Sequence, residues 1–391
     1  MNAKPNYKTR TRNDIILSEH MDGLVTNLAF ETLDHPRTYK EKARQMEEEG
    51  VLKKSRAVLD RRVITVYSLN HYEETKKEYE SVLPDGYYET YVTYMAEEGK
   101  SARKSEKMRA ERAIGNANTS FIMEAAGICR SIDEKPRLMD EGKLNKSLCA
   151  YYTARELKWF TGFTPDVSVS REGKKKVLNS RINGLAITPG GLYPTYYIGP
   201  NVEEWKRGTE IKMKVHLEGM VGKKMDDPRR INNVLLFTTA YPKLGNLIGG
   251  TEIQNDSIMQ LAGMYESVIV LPYTKEGRKM LSLMSRLNWK EDLYATYGKK
   301  YVKGHSETYS VRSDGYSPEE DSLLCLFLDC DVRKLDTFTS YAKAVQDKTK
   351  FTVICFDWQK DVVIRTCGGA CRILTTQFDH YYREIQKTTR L

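Results

Sequence analysis

Six short apolar runs, separated by segments with helical periodicity, constrain the fold of this chain more than any other feature. The runs are bounded by turn residues and are rich in β-branched and aromatic side chains, which is typical of buried strands. They lie at 178–187, 191–199, 233–241, 266–273, 323–330 and 351–358. Helical patterns separate them at about 203–219, 274–286 and 331–347. This alternation predicts an α/β domain, or an α+β domain, with a mixed sheet, and 323–358 is expected to form strand, helix and parallel strand.

Composition supports a folded protein. The chain has 391 residues, of which 40% are hydrophobic, and this is ample for a buried core. Its apolar runs are far shorter than the roughly 20 residues that a membrane span needs. The first residues are basic and have no apolar stretch behind them of the kind a secretory signal requires. We therefore expect a cytoplasmic protein with no membrane span.

The cysteines and histidines do not indicate a metal centre. Seven cysteines are scattered along the chain, several of them inside apolar runs, and we expect reduced thiols in the core. Cys367 and Cys371 are the nearest approach to a zinc pair, but no second pair accompanies them, and zinc sites use four ligands. The six histidines are dispersed, so the metal-bound histidine triad of rolling-circle relaxases is missing.

The N-terminal region has the pattern of a basic arm, at 1–13, followed by a winged helix, at 14–70. Three helical patterns come first, with Thr26 as the expected N-cap of the second and Gly50 ending the third. Two extended runs around a basic turn follow at 51–70. Three short helices and a two-stranded hairpin are the winged-helix arrangement, which lays its third helix in the DNA major groove.

Positive charges cluster on the two elements of a winged helix that meet DNA. The net charge of +9 permits nucleic-acid binding, and the clustered charges give it a location. We therefore expect double-stranded DNA as a partner. The candidate DNA-binding residues are Arg37, Lys40 and Arg44 in the third helix and Lys53, Lys54, Arg56, Arg61 and Arg62 in the wing. The acidic end of the third helix, at 47–49, favours the alternative that the module contacts protein.

Two further regions complete the predicted organisation. Residues 71–118 are charged and tyrosine-rich and are expected to form a helical connector, whose Lys and Arg residues could extend the DNA footprint. Residues 119–391 hold the apolar runs and are expected to form the second domain. No internal repeat is apparent in the sequence.

Carboxylates and a lysine of the second domain can be combined into a nuclease-like set. Two carboxylates hold Mg²⁺ in such sites, and a lysine helps to orient the attacking water. Here Asp166 and Glu210 are the candidate metal ligands, and Lys212 completes the candidate catalytic set. Glu210 and Lys212, however, lie in a segment with a helical pattern, whereas a Glu-x-Lys motif of this kind belongs on a strand.

Tyrosines and aspartates near the strands offer two other possibilities. The tyrosines at 193, 196 and 197 could act as nucleophiles in phosphodiester chemistry, but half-buried strands favour tyrosine and a structural role is preferred. Asp329, Asp331 and Asp357 end apolar strands, where open sheets keep binding groups. Helix capping uses the same residue type, and for Asp331 we prefer that interpretation.

The order of these parts is similar to that of a known family. YYTARELKW at 151–159, SRINGL at 180–185, the aromatic YPTYYIG at 193–199 and EEWKRGTEIKMK at 203–214 resemble the replication-relaxation proteins of Gram-positive plasmids and integrative conjugative elements. The resemblance implies a restriction-endonuclease-like second domain, similar to that of one relaxase class used in plasmid mobilisation.

Residues can be carried over from that family by position. Ser180, Arg181 and Gly184 then mark the start of a hairpin, and Trp205 with Glu210 marks the helix after it. At the position of the acid in an Arg-x-Asp-Gly start, this chain has Asn183 instead. Asparagine adds no charge to a metal site, so the resemblance favours binding over cleavage.

Three hypotheses about function follow. The first is a DNA-binding protein of a mobile genetic element that acts in plasmid replication or conjugative transfer, with a relaxase or other conjugation proteins as possible partners. The second is an active DNA nicking enzyme of the relaxase kind, with Mg²⁺ as its cofactor. The third is a winged-helix transcriptional regulator. The first needs no cofactor.

Overall fold

The computed structural model describes most of the chain. The described ranges are 11–16, 23–59, 62–70, 106–130, 147–162, 180–198, 207–221, 231–244, 263–303 and 310–388, with short pieces between 134 and 145 and single positions at 172, 177, 179 and 261.

The N-terminal module combines a small antiparallel sheet with short helices. Its strands lie in the order β1-β3-β2, and its elements are β1 (Val25–Thr26), α1 (Asn27–Glu31), α2 (Pro36–Glu48), β2 (Leu52–Leu59) and β3 (Arg62–Leu69). Thr26 is the N-cap of α1, because its side-chain oxygen accepts from the Ala29 N–H at 3.2 Å, as predicted. Gly50, with φ of +75°, follows the end of α2. The short strand β1 was not predicted.

A long helix, α3 (Glu106–Ala125), connects this module to the rest of the protein. Phe121 packs into the core of the N-terminal module, whereas Ile122 and Met123 belong to a core of the second domain. The predicted connector ends at 118, in the middle of this helix. From residue 114 onward α3 is therefore mostly a buried element of the core and not a solvated link.

The first large sheet has five strands in sequential order. They are β4 (Ala150–Thr153), β5 (Gly184–Thr188), β6 (Gly191–Ile198), β7 (Asn233–Thr238) and β8 (Ser267–Pro272). The pairs β4–β5 and β5–β6 are antiparallel, and β6–β7 and β7–β8 are parallel. Among the residues that the structure describes, this unit has α4 (Ala154–Gly162) after β4 and α5 (Arg207–Val221) between β6 and β7.

The second large sheet also has five strands in sequential order. After α6 (Lys275–Met284) and α7 (Trp289–Tyr297) come β9 (Val302–Lys303), β10 (Gly315–Ser317), β11 (Ser322–Leu326), α8 (Val332–Val345), β12 (Phe351–Phe356), α9 (Lys360–Cys367), β13 (Arg372–Thr376) and α10 (Phe378–Thr388). The pairs β9–β10 and β10–β11 are antiparallel, and β11–β12 and β12–β13 are parallel.

The two large sheets therefore have the same topology. In each, three antiparallel strands are followed by a helix and two further strands parallel to the third. A helix also precedes each set, α3 in the first and α7 in the second. No internal repeat is apparent in the sequence, but the two sheets share one strand order and pairing pattern. The repeat is hidden in the sequence because buried strands accept many apolar residues and their connections differ in length.

A common core lies on each face of the two sheets. In β7, Val234 and Leu236 contribute to one core, and Leu235 and Phe237 contribute to the other. Strand β12 alternates in the same way between the same two cores. The sheets meet where the Val268 N–H donates to Asp331 Oδ1 at 3.1 Å. The coarse prediction of mixed sheets with helices is confirmed.

The predicted strand at 323–330 is shorter than expected. Strand β11 ends at Leu326, and a 3-10 turn, Phe327–Asp329, follows it. Cys330 then adopts a left-handed conformation with φ of 61°. The apolar residues of this turn are buried like those of the strand, so hydrophobicity alone could not mark the boundary. No helix among the described residues is long and apolar enough to cross a membrane.

Gly277 in α6 provides a test of the packing against the first sheet. A Cβ atom there would lie 1.9 Å from the Pro272 carbonyl oxygen at the end of β8. Because that oxygen belongs to the backbone, Gly277→Ala should destabilise the protein by about 2 kcal/mol or more. Gly219→Ala, in α5 with no atom within 4 Å of the added Cβ, should instead stabilise it by up to about 1 kcal/mol. Urea unfolding measures both, and equal effects would contradict the packing.

Candidate functional site

The start of the β5–β6 hairpin is the first place where the sequence predicts chemistry. The Asn183 N–H donates to the Thr195 carbonyl oxygen at 2.8 Å, and Asn183 Oδ1 accepts from the Tyr197 N–H. Its side-chain amide donates to Asn116 Oδ1 on α3 at 2.6 Å. A carboxylate at position 183 could not make this last hydrogen bond, because it has no proton to donate. The asparagine therefore joins the hairpin to α3.

Close packing between α3 and the hairpin accompanies this hydrogen bond. A Cβ atom at Gly115 would lie 3.3 Å from Tyr197 Cβ and 3.5 Å from Asn183 Nδ2. The hairpin and the helix are thus in contact at the acid position of the family pattern. In the first sheet this position is a structural junction.

Glu210 is a buried structural carboxylate. It is 1% exposed and accepts from Ser180 Oγ at 2.6 Å, from the Arg181 N–H at 2.9 Å and from the Tyr196 hydroxyl at 2.8 Å. These hydrogen bonds fix the segment before β5 against α5. They satisfy groups that would otherwise be buried without partners.

The predicted catalytic set is not assembled. Lys212 is exposed, whereas Glu210 is buried, since residues two apart on a helix point in different directions. Asp166 lies outside the described residues, as does Trp205. The geometry therefore does not support a metal or catalytic site made by Glu210 and Lys212 together.

Two of the three hairpin tyrosines, Tyr193 and Tyr196, are buried in the core, and Tyr197 is partly buried against it. Burial, Tyr265 and Glu210 raise the pKa of Tyr196 well above its usual value, so its hydroxyl stays protonated. Tyr193 is 2% exposed, and Tyr197 packs edge-on to Tyr273 with ring centroids 5.7 Å apart. The structural interpretation preferred from the sequence agrees with this burial.

The β10–β11 hairpin of the second sheet reproduces the backbone geometry of the first. Asp314 is the residue equivalent to Asn183. Its N–H donates to the Leu324 carbonyl oxygen at 2.8 Å, and its Oδ2 accepts from the Leu326 N–H at 2.6 Å. The second hairpin thus has an acid where the first has an amide.

Lys334, in the first turn of α8, lies between two carboxylates. Its ammonium group donates to Asp314 Oδ2, Asp329 Oδ2 and the Leu326 carbonyl oxygen, each at 2.8 Å. The side chains of Lys334 and Asp329 are only 9% and 11% exposed, so the charges are largely removed from water. All three ammonium protons have acceptors, as a buried lysine requires.

This cluster shifts the ionisation of its members. Burial alone would lower the pKa of Lys334, but Asp314 and Asp329 hold that pKa well above its usual value. Burial alone would raise the pKa of Asp329, but Lys334 and Lys290 lower it. Both groups are therefore charged at neutral pH.

The cluster opens onto a cavity of about 190 Å³ between α7 and the β10–β11 hairpin. Six charged side chains and three apolar or aromatic ones line it. They are Lys290, Glu291, Leu293, Tyr294, Lys303, Asp314, Leu326, Asp329 and Lys334. Within the described ranges, no group of three or more His, Cys, Asp or Glu side chains is placed to hold a metal ion by itself.

Asp331 and Asp357, the other aspartates at strand ends, have structural roles. Asp331 is the N-cap of α8, as preferred from the sequence, because its side chain accepts from the Arg333 and Lys334 N–H groups. Asp357 Oδ1 accepts from the Trp358 and Phe378 N–H groups. Neither lines the cavity.

On α2 the predicted DNA-binding side chains are paired with acids. Arg37 binds Glu41 at 2.8 Å, Arg44 binds Glu48 at 3.3 Å and Lys40 binds Glu31. Lys54 of β2 binds Glu47 at 3.3 Å. The basic face predicted for this helix is therefore balanced by acids beside it.

The β2–β3 hairpin carries the basic side chains that remain. Lys53, Arg56 and Arg62 are exposed and make no ion pair with any residue that the structure describes. Arg61 lies outside the described residues. Of the predicted basic arm, residues 1–10 lie outside them too, and Arg12 binds Glu49 at 2.5 Å.

Neither Asp314 nor Lys334 was predicted from the sequence as a site residue. A usable signal was present, because Arg312-Ser313-Asp314-Gly315 has the same Arg-x-Asn/Asp-Gly pattern as Arg181 to Gly184. No sequence pattern indicated a role for Lys334, since its contacts depend on the position of α8 against β11.

No protein-family model, curated protein or solved structure matches this chain.

The role of Glu210 can be tested by stability. Glu210→Ala removes the acceptor of three hydrogen bonds, two of them from the buried hydroxyls of Ser180 and Tyr196, and should destabilise the protein by about 3 kcal/mol. Lys212→Ala, two residues away and exposed, should change stability by less than about 0.5 kcal/mol. Urea denaturation measures both variants, and a neutral Glu210→Ala would contradict the structural role.

The Lys334 cluster should make stability depend on pH. Because the folded pKa of Asp329 is lowered, its stabilisation is present above the unfolded value of about 3.9 and is lost as pH falls through the folded pKa. Lys334→Met leaves buried carboxylates unpaired and should cost about 3 kcal/mol at pH 7 and clearly less near pH 4, where they take up protons.

Lys350→Met is the matched control for this prediction. Lys350 pairs with Asp321 on the same unit, but both side chains are partly exposed, at 29% and 42%. Its loss should cost less than about 1 kcal/mol at either pH. Thermal unfolding at the two pH values measures both variants, and equal pH dependence would contradict the assignment.

Proposed function

We propose that this protein binds double-stranded DNA through its N-terminal module, acting as a winged helix. The order of its elements is compatible with that fold, since the helices α1 and α2 are followed by the hairpin β2–β3. Strand β1 completes a three-stranded sheet. In such modules the hairpin is the wing, which meets backbone phosphate, and the helix before it enters the major groove.

The observation that carries the proposal is the unequal pairing of basic side chains. Those of α2 are matched by nearby acids, whereas Lys53, Arg56 and Arg62 of the wing project into solvent without ion pairs among the described residues. When a Lys or Arg side chain without an ion pair contacts a DNA phosphate, a counterion is released from the DNA, and this release favours binding. A side chain that is already paired with an acid must first break that ion pair. The wing is thus the main electrostatic contact.

The N-terminal module contacts the core through several side chains. These contacts support a DNA-binding module that does not move independently of the core. Thr26 donates to Asn118 Oδ1 of α3 at 2.7 Å. Asp34 binds Lys275 at 3.0 Å and Arg278 at 2.9 Å, both on α6. A module held by these contacts presents DNA to the rest of the protein in a defined orientation.

The biological setting is proposed from the resemblance to replication-relaxation proteins. It favours a DNA-binding protein of a mobile genetic element that acts in plasmid replication or conjugative transfer. The sheet β4–β8 is the counterpart of the restriction-endonuclease-like domain. At its acid position Asn183 holds α3, so a role in holding DNA or partner proteins suits this unit better than cleavage at that hairpin.

The wing can be tested with a random-sequence duplex of about 25 base pairs. Arg56→Ala combined with Arg62→Ala should weaken binding and reduce the slope of log K against log salt by about 2, because each lost phosphate contact removes about 0.9. Fluorescence anisotropy over a salt series measures both quantities.

Two further variants serve as controls. Arg37→Ala, which removes a cation already paired with Glu41, should change the slope by less than the wing variant does. Arg383→Ala, on the exposed face of α10, should leave binding unchanged. An unchanged affinity and slope in the double wing variant would refute the proposal.

A further inference from the structure

The outer face of the β2–β3 hairpin carries an exposed apolar pair. Val58 and Val63 lie directly opposite each other in the strand register, and their exposed fractions are 57% and 68%. Side chains directly opposite on one face of a sheet lie about 5 Å apart, so the two valines form a single patch. Among the described residues, Val63 is the most exposed of the large apolar side chains.

The inner face of the hairpin holds it against the rest of the protein. Leu59 and Ile64 are buried there in a small core with Ile114 of α3. The Thr65 N–H also donates to Asn27 Oδ1 of α1 at 2.9 Å. Because side chains alternate between the faces of a strand, the valine pair points away from this core. The hairpin therefore presents the pair to solvent from a fixed support.

Basic side chains lie beside the valine pair. Arg56 precedes Val58 by two residues and is on the same face of β2, and Arg62 is next to Val63 at the start of β3. Both arginines are exposed and make no ion pair with any residue that the structure describes. An apolar patch beside cations complements a ligand that has apolar groups between negative charges. In the DNA major groove, the 5-methyl groups of thymine lie between two phosphate backbones.

We propose that the outer face of the hairpin enters the DNA major groove and that Val58 and Val63 contact the 5-methyl groups of thymine. This inference rests on the proposed DNA binding and adds a base preference to it. The major groove admits a two-stranded β-ribbon, and apolar side chains recognise thymine there through its methyl group. Arg56 and Arg62 keep their contacts with phosphate, which position the hairpin without reading the sequence.

The minor groove fits the valine pair less well. Its A·T edges display only hydrogen-bond acceptors, and a valine would remove these acceptors from water without supplying a donor. Proteins that insert apolar side chains from the minor groove commonly use larger ones, such as Phe, Leu or Met. The chemistry of the pair therefore favours the major groove.

The hairpin is also better suited than α2 to make base contacts. On α2, Glu41 and Glu48 are 62% and 66% exposed beside Arg37 and Arg44, so acids would approach the phosphates together with the cations. Strands β2 and β3 contain no acid. Because like charges repel, the hairpin can lie closer to the phosphate backbones than α2 can.

The test uses the full chain and three DNA duplexes. A T-rich duplex is compared with the same duplex carrying deoxyuridine at every thymine, which removes only the 5-methyl groups. The third duplex carries inosine at every guanine, which removes the amino group that guanine presents in the minor groove. Fluorescence anisotropy at one salt concentration measures the three dissociation constants.

The wild-type protein should prefer the thymine duplex to the deoxyuridine duplex. The expected ratio of dissociation constants is roughly 4-fold if one methyl group is buried and roughly 16-fold if two are buried. The inosine duplex should be bound as tightly as the guanine duplex, because its major groove is unchanged.

Val58→Ser combined with Val63→Ser is the decisive variant. Both side chains are exposed, so the fold should be retained, and thermal unfolding checks that it is. The preference for thymine should disappear. The slope of log K against log salt should stay at the wild-type value, because no phosphate contact is lost.

Val302→Ser is the matched control for this variant. Val302 is a strand residue of the second sheet and is 62% exposed, which is close to the exposure of the valine pair. Its replacement should leave the thymine preference unchanged.

Four results would overturn the thymine contact. They are equal affinity for the thymine and deoxyuridine duplexes, a preference that survives in the double serine variant, a changed affinity for the inosine duplex, and loss of self-association in the serine variant by sedimentation. The last result would assign the valines to a contact between two copies of the chain. Salt-dependent binding without a thymine preference rejects this inference alone, whereas no binding to any duplex rejects the proposed DNA binding as well.

Discussion

The packing of α3 against its neighbours is the constraint on which the rest of the structure depends. Its residue Phe121 enters the core of the N-terminal module, Ile122 enters a core of the large sheets, and Asn116 binds the β5–β6 hairpin through Asn183. Gly115 allows α3 to lie close to the β5–β6 hairpin, since the Cβ atom of a larger residue there would press against Tyr197. One helix therefore sets the position of the DNA-binding candidate relative to the first sheet.

Duplication of one topology explains why the two hairpins can differ in chemistry. Both copies need the hydrogen bond that positions 183 and 314 accept, because it fixes the third strand against the start of the second. An amide and a carboxylate serve this purpose equally well. The second contact of the side chain differs between the copies. In the first, the amide nitrogen of Asn183 donates to Asn116 of α3, and in the second, Asp314 Oδ2 also accepts from Lys334 beside a cavity.

The basic residues of the protein differ in whether acids pair with them and in how deeply those pairs are buried. Arg37 and Arg44 are balanced by acids one helical turn away, and Lys334 is balanced by two aspartates in a largely buried setting. Exposed pairs of the first kind contribute little to stability, whereas breaking the second kind is costly. Arg56, which makes no ion pair with the part of the chain that the structure describes, keeps more of its attraction for phosphate than these paired residues do.

The sequence by itself determined the local structure of this protein. Periodicity predicted α2 and the β2–β3 hairpin, and Thr26 was recognised as an N-cap, because each depends on residues near one another in the chain. The alternation of strand and helix patterns along the chain predicted mixed sheets. It did not determine which distant residues meet. Glu210 binds a segment 29 and 30 residues earlier, and Asp314 meets a lysine 20 residues later. Such contacts depend on strand order and helix placement, which only the tertiary structure decided.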